Sequence, residues 1–189
     1  KALNPTLLPD NYLSTFKPVI LIRHPALAYP SLYRATRAML PHITIDSKGM
    51  SINFTLAWMR MTYNWLEQSA AASGTCKPIV LDADDIMLDR AVVHQLVLAL
   101  GGDPNELIFN WNAVQGTELE DVQPFARVFE STLLASQGVL KTKTSANLEI
   151  EREAEAWANE FGKEVADKLR TYVENAMEDY EYLKAQRLT

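Results

Sequence analysis

Arg23 and Ser31 are the side chains whose chemistry reads most directly from this sequence. Arg23 follows a short apolar run, and Ser31 comes eight positions later in the segment beyond it. A guanidinium presents a fork of donors that matches phosphate or sulfate oxygens, and a hydroxyl adds a neutral donor. If Arg23 leaves a strand and Ser31 lies in the first turn of the next helix, free backbone N–H groups and the positive end of the helix dipole would join them. The same spacing also suits a plainer arrangement, in which Arg23 pairs with a surface carboxylate and Ser31 helps to cap a helix. His24 is a weak candidate for a general base, because the neighbouring cation disfavours its protonated form. A scaffold hydrogen bond is its alternative use.

Asp82, Asp84 and Asp85 make a second cluster. Carboxylates this close can raise one another's pKa or hold Mg²⁺, which makes Asp84 and Asp85 weak candidates for acid–base work. The alternative is a polar turn in which one carboxylate caps a helix. The other histidines, His42 and His94, are scattered, and neither a Cys/His cluster nor an HExxH pattern occurs, so no metal site is expected. Trp58, Met59, Met61 and Trp65 suit either a pocket for a flat apolar substrate or core packing, and core packing is the expectation.

The elements that must position these residues have clear signatures. Lys17-Pro18-Val19-Ile20-Leu21-Ile22-Arg23 and Lys77-Pro78-Ile79-Val80-Leu81-Asp82 share a Lys-Pro entry, an apolar run and a charged exit. Such runs suit parallel strands covered on both faces, and the residues at their carboxyl ends sit where open α/β sheets bind ligands. Residues 28–40 read as a helix, with Pro30 in its first turn and Pro41 as its stop. Residues 50–71 read as one long helix, with Phe54, Trp58, Met61 and Trp65 on an apolar face. Asp89 is placed to cap a helix that ends at Gly101-Gly102. Residues 121–136 read as a further helix. In the acidic last forty residues, Trp157, Phe161, Val165, Leu169, Val173, Ala176 and Tyr180 recur at helical steps. Loops are expected at 43–49, 110–117 and 138–147. The result is an α/β chain with a partial parallel sheet and a mainly helical C-terminal half. Two strands are too few for a stable sheet of this kind, so the remainder of the sheet is expected to be absent.

The 189 residues, 48% of them hydrophobic and 22% charged, fit a single globular domain. A formal net charge of −6 argues against nucleic acid as a partner, while leaving room for a local anion site. No apolar run reaches the ~20 residues of a membrane span, so no membrane association is expected. The single Cys76 excludes an intramolecular disulfide and suits a reducing compartment; a cytoplasmic location follows as the default.

Taken in order, these features resemble a known family. Arg23 at a strand end, with Ser31 eight positions later, looks like the 3′-phosphate site of sulfotransferases, whose donor is 3′-phosphoadenosine 5′-phosphosulfate (PAPS). Pro78-Ile79-Val80-Leu81-Asp82-Ala83-Asp84-Asp85-Ile86, a helix after Asp89 and then Leu98-Ala99-Leu100-Gly101 are similar to that family's strand, acidic turn and helix. Leu21-Ile22-Arg23-His24-Pro25-Ala26-Leu27 and Asp179-Tyr180-Glu181-Tyr182-Leu183-Lys184 look like the sulfotransferase-related P-loop proteins common in fungal genomes. The resemblance covers most of the chain, most strongly residues 17–40 and 77–102.

The departures are equally specific. The family's opening strand, phosphate-binding loop, helix and catalytic Lys or His do not precede Lys17. Gly162-Lys163 is followed by Glu164 within a helical pattern and is not a P-loop. Ala83 stands where many members carry an adenine-stacking Tyr. The segment Gly138-Val139-Leu140-Lys141-Thr142-Lys143 is the candidate for the family's basic segment, which makes Lys141 and Lys143 candidate donor ligands.

The resemblance implies a sulfotransferase, or the C-terminal portion of one, acting on a hydroxyl of a small molecule, in a setting such as fungal specialised metabolism. It implies PAPS and its product 3′,5′-diphosphoadenosine as ligands of Arg23, Ser31, Lys141 and Lys143. Two rivals keep the fold: a donor-independent lyase, cyclase or dehydratase, and a non-catalytic binding or assembly module. The chain is expected to continue before Lys1. Its sheet edge is expected to be covered by self-association or by a missing N-terminal segment.

Overall fold

The computed structural model describes residues 3–74 and 76–189. The two expected strands form: β1 (Val19–Ile22) and β2 (Ile79–Asp82) pair in parallel, with Val19 opposite Ile79 and Ile22 opposite Asp82. They are the named strands among the described residues. On the far side of β2, Val80 bridges to Arg187 in parallel and accepts the Leu188 N–H at 2.8 Å. The charged exits of both strands, Arg23 and Asp82, therefore lie side by side at one end of the ladder.

Helices supply the rest. α1 (Asp10–Leu13) precedes β1, and α2 (Pro25–Met39), α3 (Lys48–Asn53) and α4 (Ala57–Ser73) connect β1 to β2. α5 (Ala83–Leu88), α6 (Arg90–Leu100), α7 (Thr117–Asp121), α8 (Pro124–Phe129) and α9 (Ser131–Leu134) follow β2. α10 (Ile150–Phe161) and α11 (Lys163–Lys184) complete the α-helices among the described residues. The mixed α/β class with a helical C-terminal half is thus observed. Among the described residues, no helix is long and apolar enough to cross a membrane.

The core is built on α11. Leu169, Val173, Ala176, Tyr180 and Leu183 recur at three- and four-residue steps and are all buried. That stripe meets Ile22 and Val80 of the sheet and Tyr29 and Tyr33 of α2 in one cluster, which Trp157 of α10 joins. Each large apolar side chain so buried contributes roughly 1.5–3 kcal/mol.

Several element boundaries differ from expectation for identifiable reasons. α2 starts at Pro25, because His24 caps it: the His24 Nδ1 accepts the Ala26 N–H at 3.2 Å. Pro30 is consequently inside the helix. The long helix over 50–71 is broken at Phe54, which is itself buried in the core. Beyond the break, Trp58, Met59 and Met61 are exposed, so the core placement expected for them does not hold, whereas Trp65 is buried. Tyr63 and Ala70 occupy the inward stripe of α4, and Trp65 lies among Leu13, Phe16 and Pro18 of the N-terminal segment. The helix over 121–136 is two short helices, α8 and α9, and Pro124, which holds Gln123 extended, separates them from the end of α7. Asp89 and Gly101 do bound α6 as expected; the Asp89 carboxylate accepts the Ala91 N–H at 2.8 Å, and Gly101 adopts φ +85°.

Candidate functional site

Arg23 leaves β1 directly into a cleft of about 1150 Å³. Ser31 and Arg34 of α2, Ala83 of α5, Trp111, Trp157 and the segments 138–140 and 142–144 share its lining. Arg23 is half-buried, and its Nη2 donates to the Lys143 carbonyl at 3.3 Å. Its Nε is buried without a hydrogen-bond partner in the protein. A buried donor left unpaired is costly, and an anion is one kind of group able to pair with it. Arg34, by contrast, is already engaged, its Nε and Nη2 donating to the Glu160 carboxylate at 2.5 and 2.6 Å.

The sequence placed Ser31 in the first turn of α2, among free backbone donors. The earlier helix start moves it into the second turn. The first-turn donors are already used: Ala26 N–H goes to His24 Nδ1, and Leu27 and Ala28 N–H go to the His24 carbonyl at 2.9 and 3.1 Å. An anion here would be gripped by side chains, Arg23 and the exposed Ser31 hydroxyl, rather than by the helix terminus. Lys143 lines the same cleft, with Nζ 3.4 Å from Thr132 Oγ1. Lys141 lies to one side, in a smaller cavity with Met87, Arg90 and Phe109.

The other candidate residues lie beneath the cleft and do not line it. His24 is buried, its ring edge-on to Tyr180 at 5.1 Å. Burial lowers its pKa, Lys184 lowers it further, and Asp84, Glu181 and Asp82 pull the other way. Asp82 is fully buried; Oδ1 accepts the Asp84 N–H at 3.0 Å and Oδ2 accepts the Tyr180 hydroxyl at 2.8 Å. Asp84 Oδ2 accepts both the Ser145 N–H at 2.8 Å and the Ser145 hydroxyl at 2.5 Å, while Oδ1 is buried without a partner. Asp85 accepts from Arg187 Nε at 2.8 Å. The three carboxylates thus fasten three different pieces of chain to the end of β2. Among the described residues, no group of three or more His, Cys, Asp or Glu side chains is placed to hold a metal ion.

Sequence reasoning missed Ser145, Trp111 and Tyr180. Ser145 and Trp111 fall in stretches without periodicity, so nothing local marks them. Tyr180 fits the apolar stripe of α11 and reads as core, which its ring is; its hydroxyl finds Asp82 only through the fold.

Comparison with known proteins finds two curated relatives. The chain is 40% identical to "Sulfotransferase ppzF" of Metarhizium majus (strain ARSEF 297) over 195 aligned positions, covering 98% of this chain. It is 38% identical to "Sulfotransferase ppzF" of Metarhizium rileyi (strain RCEF 4871) over the same extent.

This chain is homologous to the fungal sulfotransferase ppzF.

It spans 57% of the length of those two relatives. No protein-family model and no solved structure matches it.

Proposed function

We propose that this chain forms the 3′-phosphate-binding part of a sulfotransferase that moves a sulfuryl group from PAPS to a hydroxyl of a small molecule. The observation that supports this most is Arg23: a guanidinium at a strand exit, facing a large cleft, with a buried Nε that has no partner. Ser31 and Lys143 on the same cleft supply a hydroxyl donor and a second cation. Ala83 lines it as well, where many family members have an aromatic residue, so less of the adenine grip comes from stacking.

When bound, PAPS supplies an activated sulfuryl group: the acceptor oxygen bonds to sulfur, the bond from sulfur to the bridging phosphate oxygen breaks, and the acceptor's proton leaves to a base. The products are a sulfate ester and 3′,5′-diphosphoadenosine. Arg23 neutralises and orients the far end of the donor, and binding energy gathered there positions the reacting end.

The test is binding and turnover in the full-length gene product. 3′,5′-Diphosphoadenosine should bind more tightly than adenosine 5′-monophosphate, and Arg23→Ala should remove most of that preference, a loss of roughly 1.5–3 kcal/mol. Ser31→Ala should cost about 1 kcal/mol, since a neutral donor is lost. PAPS-dependent sulfuryl transfer should fall with Arg23→Ala. Product formed without PAPS, and indifferent to Arg23→Ala, would overturn the reading.

A further inference from the structure

Segment 138–147 forms a wall of the cleft, and it is tied down at separate points. At one end, Asn110 and Gly138 form an antiparallel bridge, and a Cβ on Gly138 would meet the Phe109 carbonyl at 3.0 Å. At the other end, Asp84 takes two hydrogen bonds from Ser145, one from its backbone and one from its side chain. Between them, Arg23 holds the Lys143 carbonyl. Asp84 and Arg23 leave β2 and β1, whose last residues pair directly. The same end of the sheet therefore carries both the Arg23 guanidinium and the carboxylate that anchors the facing wall.

We propose that Asp84 is a positioning residue: its paired bonds to Ser145 hold Thr142, Lys143 and Thr144 against Arg23 and so complete the anion pocket. Asp84 itself is buried and does not line the cleft, so it acts through the segment it holds. A buried carboxylate is suited to the task. Its bonds to Ser145 are charge-assisted and shielded from water, which makes them strong and directional. Apart from the Arg23 bond to the Lys143 carbonyl, the stretch has one long contact among the described hydrogen bonds, Lys143 Nζ to Thr132 Oγ1 at 3.4 Å. Without the latch, the segment would occupy the closed arrangement for only part of the time, and anion affinity would fall in proportion.

This inference rests on the donor-site reading above, and the experiment separates the two. Affinity for 3′,5′-diphosphoadenosine, amide hydrogen exchange over 139–147 and urea midpoints are measured for the full-length protein, Asp84→Asn, Ser145→Ala, Ser145→Thr and the Asp84→Asn/Ser145→Ala double variant. Asp84→Asn and Ser145→Ala should speed exchange in the segment and weaken binding about tenfold, as for a closed state populated a tenth of the time. The double variant should bind no more weakly than Asp84→Asn alone, because both changes break one interaction. Ser145→Thr keeps the hydroxyl and should restore affinity. If Asp84→Asn fails to fold, Ser145→Ala and its threonine rescue carry the same test. Arg23-dependent binding that ignores both Asp84→Asn and Ser145→Ala sinks the latch and leaves the donor site standing. A wild-type protein that does not bind 3′,5′-diphosphoadenosine sinks both.

Discussion

His24 shows how a residue that looks catalytic in the sequence acquires a structural task. Its Nδ1 accepts a hydrogen bond at the start of α2, so that nitrogen must be unprotonated in the native state. Burial first, and Lys184 second, hold its pKa below the ordinary 6.5, against the opposing pull of Asp84, Glu181 and Asp82. The unfolded chain therefore takes up this proton at a higher pH than the native protein does. The stability tied to His24 is present above about 6.5, declines as the pH falls through that value, and levels off below the native pKa. Urea midpoints measured from pH 7.5 to 5.5 should show this decline, and His24→Asn, which keeps a capping oxygen, should flatten it. A decline of equal size in the variant would assign the effect elsewhere. Tyr180 and Asp82 form the second residue-scale case. Tyr180→Phe leaves Asp82 Oδ2 buried with Lys184 Nζ at 3.8 Å as its remaining charged neighbour. The cost should be roughly 1.5–3 kcal/mol, read from urea unfolding, because the lost bond is to a charged group.

The elements most legible in the sequence were those whose signal is local. β1 and β2 were bounded by Pro before and a charge after, α6 by Asp89 and Gly101, and α11 by its apolar stripe. The elements misread were those fixed by contacts far along the chain. Residues 50–71 carry enough apolar character for one helix, yet Phe54 must turn inward to stack on Tyr29 at 5.1 Å, and the helix breaks there. α5 has no boundaries legible in the sequence, but its cap is: one carboxylate of the acidic cluster is expected to cap a helix, and Asp82 does so at the strand's own end by accepting the Asp84 N–H. The candidate site divides in the same way. Arg23, Ser31 and Lys143 were legible as residue types in order, whereas the cleft that unites them depends on 138–147 folding back across the sheet. Gly162 tests the boundary between α10 and α11. At φ +89° and ψ 155° it adopts a conformation that only glycine takes without strain, although a Cβ would meet open space. Gly162→Ala should therefore destabilise by the order of 1–3 kcal/mol through backbone strain alone, visible in thermal unfolding.

At the scale of the whole molecule, a very small sheet carries a large helical layer, and the two sides of that sheet are unequal. β2 is enclosed, with β1 on one side and the Arg187 bridge on the other. The outer side of β1 has no strand partner among the described residues, and Val19 and Leu21, at 39% and 53% exposure, are open to solvent. An unpaired strand edge beside exposed aliphatic side chains invites pairing with another chain. The chain as given should therefore self-associate at micromolar concentration, with sedimentation velocity showing a weight average that rises with concentration above 21.3 kDa. Leu21→Lys places a charge beside that edge and should shift the distribution toward monomer without lowering the urea midpoint, since Leu21 is more than half exposed. The equivalent change at Leu98, 62% exposed on α6, serves as the control, because it removes a comparable apolar surface away from the edge. Equal effects of the two variants would make the association a matter of general surface hydrophobicity. A shift confined to Leu21→Lys would place the contact at the edge of β1, beside the exit that carries Arg23.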